Sequence, residues 1–415
     1  MKRQCNFLFL FLALLLSYSC DNDEADFEFV NVATAEFMSK SEFRNAVDII
    51  APQPIQFPGK IYAYNDYIFV NDLNKGVHII DNTNPVTPKP MAYIRIPGNE
   101  DISIKNDVLY ADSATDLLVF NISNINSISL VERLKDVFTV YNHHTPNEAD
   151  ALDYGDFNYE TDVVVGWTLK RERREKLEEF QTGVIFNEGL LADASAEVNV
   201  GMGGSLARFQ IVNNYLYTVG SYEMAIFNIQ NLSSPVLETV QGAGWNIETM
   251  FQSDNHLYLG STNGMYIYSL NNPAAPEYVS EFTHWEGCDP VVVDGDYAYV
   301  TLRGGNLCGQ DESVLEVIDI SDKTTPTLAG RYELENPYGL GIKDQTLFIC
   351  DGSAGLKLFN KENPLELSLI NEFQDIQSKD VIPMDDKLLM IGDKILYQYD
   401  YAGNNISLIS TYTLN

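Results

Sequence analysis

Charged side chains recur at one fixed place in a repeating pattern. The markers of that pattern are Phe69, Tyr110, Tyr217, Tyr258, Tyr299, Phe348 and Leu389, each centred in a strand-like stretch, and four of the steps between neighbours are 41 residues long. Ten and nine residues before each marker lie Gly59/Lys60, Glu100/Asp101, Ala207/Arg208, Glu248/Thr249, Asp289/Pro290, Tyr338/Gly339 and Lys379/Asp380. Six of these seven pairs hold a charged residue. Converging carboxylates can bind calcium or act as acid and base. Interleaved with Lys60, Arg208, Lys379 and Arg303, and rimmed by Trp245, His284, Trp285 and Tyr338, they can also form a polar pocket for a sugar, a peptide or a cation. The plainer reading is a set of solvated charges along a water-filled channel. Because the repeat sets the spacing, spacing alone is no sign of chemistry.

Motifs for specific reactions do not appear. The chain has five histidines (His78, His143, His144, His256 and His284), and no nucleophile elbow, phosphate loop or paired-cysteine metal motif. The sequence therefore assigns no catalytic residue. An extracytoplasmic hydrolase or lyase working through these channel-mouth carboxylates, with calcium as its one conceivable cofactor, stands as the alternative to a binding module.

The elements that must position these residues follow from the repeat. Each copy reads as an alternating strand, a turn such as Asp294-Gly295, the marker strand, a third strand and a fourth. The third strand ends on or near a short polar residue, Asp81, Asn121, Asn228, Ser269, Asp319, Asn360 or Asp400, suited to start a turn. Seven copies of four antiparallel strands predict an all-β chain, a seven-bladed β-propeller spanning 59–415. The last copy carries four strands of its own, so residues 45–50 are expected to add an outer strand rather than complete a blade.

The third strands VLEVIDIS (Val314–Ser321) and LLVFNIS (Leu117–Ser123) resemble the pattern of the LVIVD repeat, and the 41-residue period is similar too. The resemblance covers about 60–415. It implies a secreted or surface-anchored propeller, and it brings no general activity and no catalytic residue set. The copies at Gly76, Met224 and Met265 depart from the Leu-Val core.

Two insertions interrupt the period. The longer one, about 137–204, separates blades two and three. It holds His143-His144, the acids Asp150, Asp153 and Asp156, an expected strand Val163–Trp167, and the basic run Lys170-Arg171-Glu172-Arg173-Arg174-Glu175-Lys176. That run reads either as a patch for a carboxylate or polyanion, or as a helix or strand extension paired with the protein's own acids. A metal at His143-His144 is the less economical reading, since adjacent histidines rarely converge on one ion. The shorter insertion, Arg303–Glu312 in blade five, is glycine-rich and carries Cys308. Its loop and the one carrying Cys288 leave the same face of the blade, so a Cys288–Cys308 disulfide is expected outside the cytoplasm. Cys350 lies in an apolar strand and reads as a buried thiol.

The N-terminus gives an address. Lys2 and Arg3 precede a ten-residue apolar run, Phe7–Leu16, too short to span a bilayer. Ser17-Tyr18-Ser19-Cys20 follows, and the whole resembles a bacterial lipoprotein signal (1–19) with Cys20 as the acylated residue. The alternative is an ordinary secretory signal cut near Ser19. The acidic Asp21-Asn22-Asp23-Glu24 looks like the export tag of surface-displayed lipoproteins in the Bacteroidetes. The resemblance implies an outer-membrane lipoprotein exposed at the cell surface, with a periplasm-facing one as the alternative. Residues 20–58 read as a tether and lead-in, with a capped helix start at Ser39–Phe43. The net charge of −33 and the pI near 4.3 make nucleic acid an unsuitable partner and leave the lipid anchor as the membrane contact. The expected function is a binding or scaffold module for a protein or glycan outside the cytoplasm.

Overall fold

The computed structural model describes residues 27–139, 146, 149–175, 200–283, 290–304, 312–402 and 405–414. Seven antiparallel sheets follow one another along the chain, each containing four consecutive strands. Blade 1 begins at Pro58–Tyr64, blade 2 at Ile102–Lys105, blade 3 at Phe209–Val212 and blade 4 at Ile247–Ser253. Blades 5, 6 and 7 begin at Val291–Asp294, Leu340–Lys343 and Asp380–Pro383. The first strand of each blade lies beside the first strands of both neighbours, and that of blade 7 returns to blade 1. The ring is therefore closed, with the first strands innermost around the axis.

The periodic markers explain why the blades stack. Phe69, Tyr110, Tyr217, Tyr258, Tyr299, Phe348 and Leu389 are all essentially inaccessible to solvent. Each belongs to an apolar cluster shared with the next blade; Leu389, for instance, packs with Ile61 and Val70 of blade 1. Full burial of a side chain of this size contributes roughly 1.5–3 kcal/mol. Two tyrosines also tie blades by hydrogen bonds: Tyr110 Oη donates to the Leu232 carbonyl and Tyr217 Oη to the Pro273 carbonyl, both at 2.8 Å. The polar ends of the third strands start turns as expected. Asp81, Asn121, Asn228, Ser269, Asp319 and Asn360 each accept the backbone N–H two residues on.

Closure between blades 7 and 1 uses polar contacts as well as apolar ones. Asn82 and Gln398 exchange amide hydrogen bonds at 2.9 and 2.8 Å, and the Ile55 N–H donates to the Leu414 carbonyl. Asp48–Ile50 pairs antiparallel with the outer strand Lys89–Arg95 of blade 1, as an added outer strand.

One further sheet was not anticipated by the reading of 20–58 as a lead-in. Phe27–Ser39 is a strand that pairs antiparallel, over its whole length, with Asp162–Glu175 of the long insertion. Ala151–Asp153 pairs parallel with its other edge. The expected strand Val163–Trp167 is thus the core of a longer one, and the basic run through Glu175 is its extension. Ser39 then caps the short helix Lys40–Asn45 in a capping box with Glu42.

This helix and sheet rest on the second-to-third-strand loops of blades 1 and 2. Phe43 is fully buried against Val163 and Val165, with Ala114 of blade 2 alongside. Arg44 donates to both oxygens of Asp116 at 2.8 and 2.9 Å and to Asp136 at 2.9 Å, and Lys75 pairs with Glu36. Burial opposes the charge on Asp116, but Arg44, the Asp136 N–H and Arg133 outweigh it and hold the carboxyl below its usual range.

Candidate functional site

The charged residues of blades 1, 2 and 3 converge. Lys60 lies on the first strand of blade 1, Glu100 and Asp101 precede that of blade 2, and Arg208 precedes that of blade 3. Lys60 Nζ lies 3.0 Å from Asp101 Oδ2, and Arg208 pairs with Glu100. The backbone N–H groups of Arg208 and Phe209 donate to Asp101 Oδ2, and that of Ile102 to Oδ1. One carboxylate thus links three blades. Glu100, Asp101 and Arg208 are buried, so the reading of solvated charges along a channel does not hold for them.

Asp112 belongs to this cluster although the periodic positions did not include it. It lies on the marker strand of blade 2, and its Oδ1 accepts from the Glu100 and Asp101 N–H groups at 2.9 and 3.0 Å and from Asn99 Nδ2 at 2.7 Å. Burial, reinforced by the neighbouring Glu100 charge, pushes Asp112 up to about 7. Two small recesses meet at Asp112 and Ala114. One is bounded by Arg208, Phe138 and Phe209, the other by Glu100, Asn74 and Trp167 of the insertion. Arg208 Nε is buried without a partner. No sequence signal separated Asp112 from other strand-end aspartates.

The chain itself enters the axis. Where the insertion returns to blade 3, Met202–Gly203 pairs antiparallel with Tyr62 and Ala63 on the inner strand of blade 1. Val200 bridges to Lys105 of blade 2, and Tyr62 Oη donates to the Gly201 carbonyl. Ser205 reaches blades 6 and 7, where its Oγ accepts the Leu340 N–H at 2.8 Å and contacts Asp380 Oδ1 at 3.4 Å. Asp380 is completely buried, and a Cβ at Gly204 or Gly339 would collide with its carboxylate. Its Oδ2 has no partner, and burial pushes the group up to about 7, against hydrogen bonds from Val381 N–H and Ser205.

The remaining periodic residues lie apart from this cluster. The Arg303 guanidinium stacks over the Tyr338 ring at 4.3 Å, with Lys379 Nζ 5.8 Å from the same ring and paired with Asp393. Trp245 is 43% exposed and meets Tyr222 edge-on. Glu248 is partly exposed beside the buried Thr249. His284, Trp285, Asp289, the Cys288–Cys308 pair, His143-His144 and Cys20 with its signal lie outside the described residues. Cys350 is a buried free thiol. Among the described residues no group of three or more His, Cys, Asp or Glu is arranged to hold a metal ion, and no helix is long and apolar enough to cross a membrane.

Seven four-stranded sheets in a closed ring, with their first strands about one axis, define a β-propeller. The LVIVD repeat model matches it over residues 59–92 and 288–333. The fold is similar to the periplasmic gluconolactonase PpgL of Pseudomonas aeruginosa (TM-score 0.53, 8% identity, covering 86% of this chain and 96% of that one). It is also similar to Sqt1 of Saccharomyces cerevisiae (TM-score 0.51, 8% identity, 91% and 87%). A third likeness is to the computationally designed Ika8 protein (TM-score 0.50, 8% identity, 86% and 88%). At such identities the likeness is one of fold. A comparison with curated proteins gives no match.

Proposed function

We propose that this propeller is a lipid-anchored extracytoplasmic module, held by Cys20 and displayed at the cell surface, that binds or scaffolds a protein or glycan. The observation that carries the reading is the sheet of Phe27–Ser39 with Asp162–Glu175. It builds an extra surface on one face of the ring, beside the mouth where Glu100, Asp112 and Arg208 converge. Ligand sites favour such junctions between an added element and a rigid scaffold. The expected contacts there are Trp167 and the recesses at Asp112, with Trp245, Glu248, Arg303 and Tyr338 further around the ring.

The enzymatic alternative draws support from one observation, that burial and the neighbouring Glu100 push the Asp112 carboxyl up to about 7, beside an arginine. Asp380, poised similarly, is walled in by Gly204 and Gly339 and has no room for a substrate. A glycan and phosphoester panel with the parent, Asp112→Asn and Glu248→Ala separates the two readings. Binding without turnover supports the module. Turnover that falls at least a hundredfold in Asp112→Asn replaces it with the hydrolase or lyase. The anchor is tested apart, by the mass of the N-terminal peptide from isolated membranes: a diacylglyceryl-modified Cys20 is expected, and an unmodified one contradicts the anchor.

A further inference from the structure

The far end of the added ribbon carries a mixed apolar and basic surface. Register places Phe29 opposite Arg173 and Asn31 opposite Arg171. Side chains on a strand alternate, so Phe29, Asn31, Leu169, Arg171 and Arg173 share one face. Phe29 is 64% exposed and Leu169 is 42% exposed. Arg171 and Arg173 are exposed too, and the Arg171 guanidinium lies 5.2 Å from the Phe29 ring centre. Two apolar groups beside two arginines, in a chain of net charge −33, form a local exception.

From this we infer that the Phe29–Arg173 face lies on the phospholipid head-group layer and fixes how the propeller stands on the membrane. The inference rests on the anchored reading given above. Six residues separate Cys20 from Phe27, so an anchor at Cys20 holds the ribbon end within about 25 Å of the bilayer. Arginine binds lipid phosphate through paired N–H groups, and Phe and Leu enter the boundary between head groups and acyl chains. Neither contact is strong alone. A short tether raises the effective concentration enough for weak contacts to count. The acidic body repels an anionic surface, but that repulsion fades within about 8 Å at physiological salt, which confines the contact to this end.

The competing occupant is the acidic tether itself, Asp21, Asp23, Glu24 and Asp26. Phe27 pairs with Glu175 at the ribbon's end, and the measurement below tells the tether from lipid.

The test uses the mature chain from Cys20, with an N-terminal histidine tag, on phosphatidylcholine/phosphatidylglycerol vesicles containing a nickel-chelating lipid. The tag supplies the anchor whether or not Cys20 is acylated in the cell, so failure of the face and failure of the lipoprotein reading are told apart. Photoreactive benzoylphenylalanine replaces Phe29 in one sample and Leu328 in another; Leu328 is 49% exposed on an outer blade strand. Lipid adducts are expected at 29 and at least tenfold fewer at 328, and Arg171→Gln with Arg173→Gln should cut the adducts at 29 at least fivefold. Equal yields at the two positions overturn the inference. So do adducts from position 29 to the 21–26 peptide in place of lipid, which would make the tether the occupant.

Discussion

Gly204 and Asp380 meet in the axis of the propeller, the glycine of the returning insertion lying against the buried carboxylate of blade 7 so closely that a Cβ would overlap it. The long insertion is therefore held in two places, on one face of the ring where Val163 packs on Phe43 of the helix docked by Arg44, and in the axis through Gly201–Gly204. Gly204→Ala is expected to destabilise the fold by about 1–3 kcal/mol. Asp380→Ala makes room, so the double variant should recover part of that loss in a denaturant-unfolding cycle. Strict additivity would mean that the two residues are not in contact.

Asp380 also predicts a pH dependence. Its carboxyl is pushed from 3.8 up to about 7 on folding. Between those values the folded state holds a proton that the unfolded state has released, so this group's contribution to stability falls as pH rises from about 4 to 7 and is level above. Asp380→Asn mimics the protonated form. The stability of that variant relative to the parent should therefore grow across the window, by up to ~4 kcal/mol. The comparison with the parent matters, because Asp72 and Asp116 are held below their usual range and contribute oppositely in more acidic solution. A relative stability that is flat from pH 4 to 7 would show Asp380 to be ionised throughout.

Arg44 holds the N-terminal segment down. Asp116 has no solvent exposure and is shared by Arg44 and Arg133. Removing Arg44 leaves this carboxylate half-paired, a loss of roughly 2–4 kcal/mol confined to the docked segment. Limited proteolysis of Arg44→Ala should cut first between residues 27 and 47 while the blades stay resistant. Global unfolding with no such early cut would make the segment integral to the ring.

The ring seam between blades 7 and 1 depends on the Asn82–Gln398 amide exchange. Gln398→Leu keeps the size but leaves the Asn82 amide unsatisfied, and about 1–3 kcal/mol of stability should be lost. A neutral effect by thermal unfolding would assign closure to the apolar cluster of Ile61, Val70 and Leu389 alone.

What the sequence disclosed, and what it did not, follows from the range of the interactions. Blades were legible because each is a local unit: the markers Phe69 to Leu389 repeat at one period, and the turn-starting Asp81 or Asn121 bonds its own backbone two residues on. Pairing across great distance was not. Phe27–Ser39 alternates like a strand, yet nothing in it names Asp162–Glu175 as partner. The stretch Gly201-Met202-Gly203-Gly204-Ser205 has no hydrophobic period, and its course through the axis follows only from the fit of its glycines against Tyr62 and Asp380. Lys60, Glu100, Asp101 and Arg208 were found by period. Asp112 was missed because it joins them from a different strand, through backbone N–H groups that carry no sequence signature.

The most direct measurement for the binding module is photo-crosslinking in living cells, with benzoylphenylalanine at Tyr159, 49% exposed beside the added sheet, and at Leu328, equally exposed on an outer blade strand. A discrete crosslinked protein or glycan is expected from position 159 and absent from 328. A partner captured only at 328, or none at 159, would contradict the binding module.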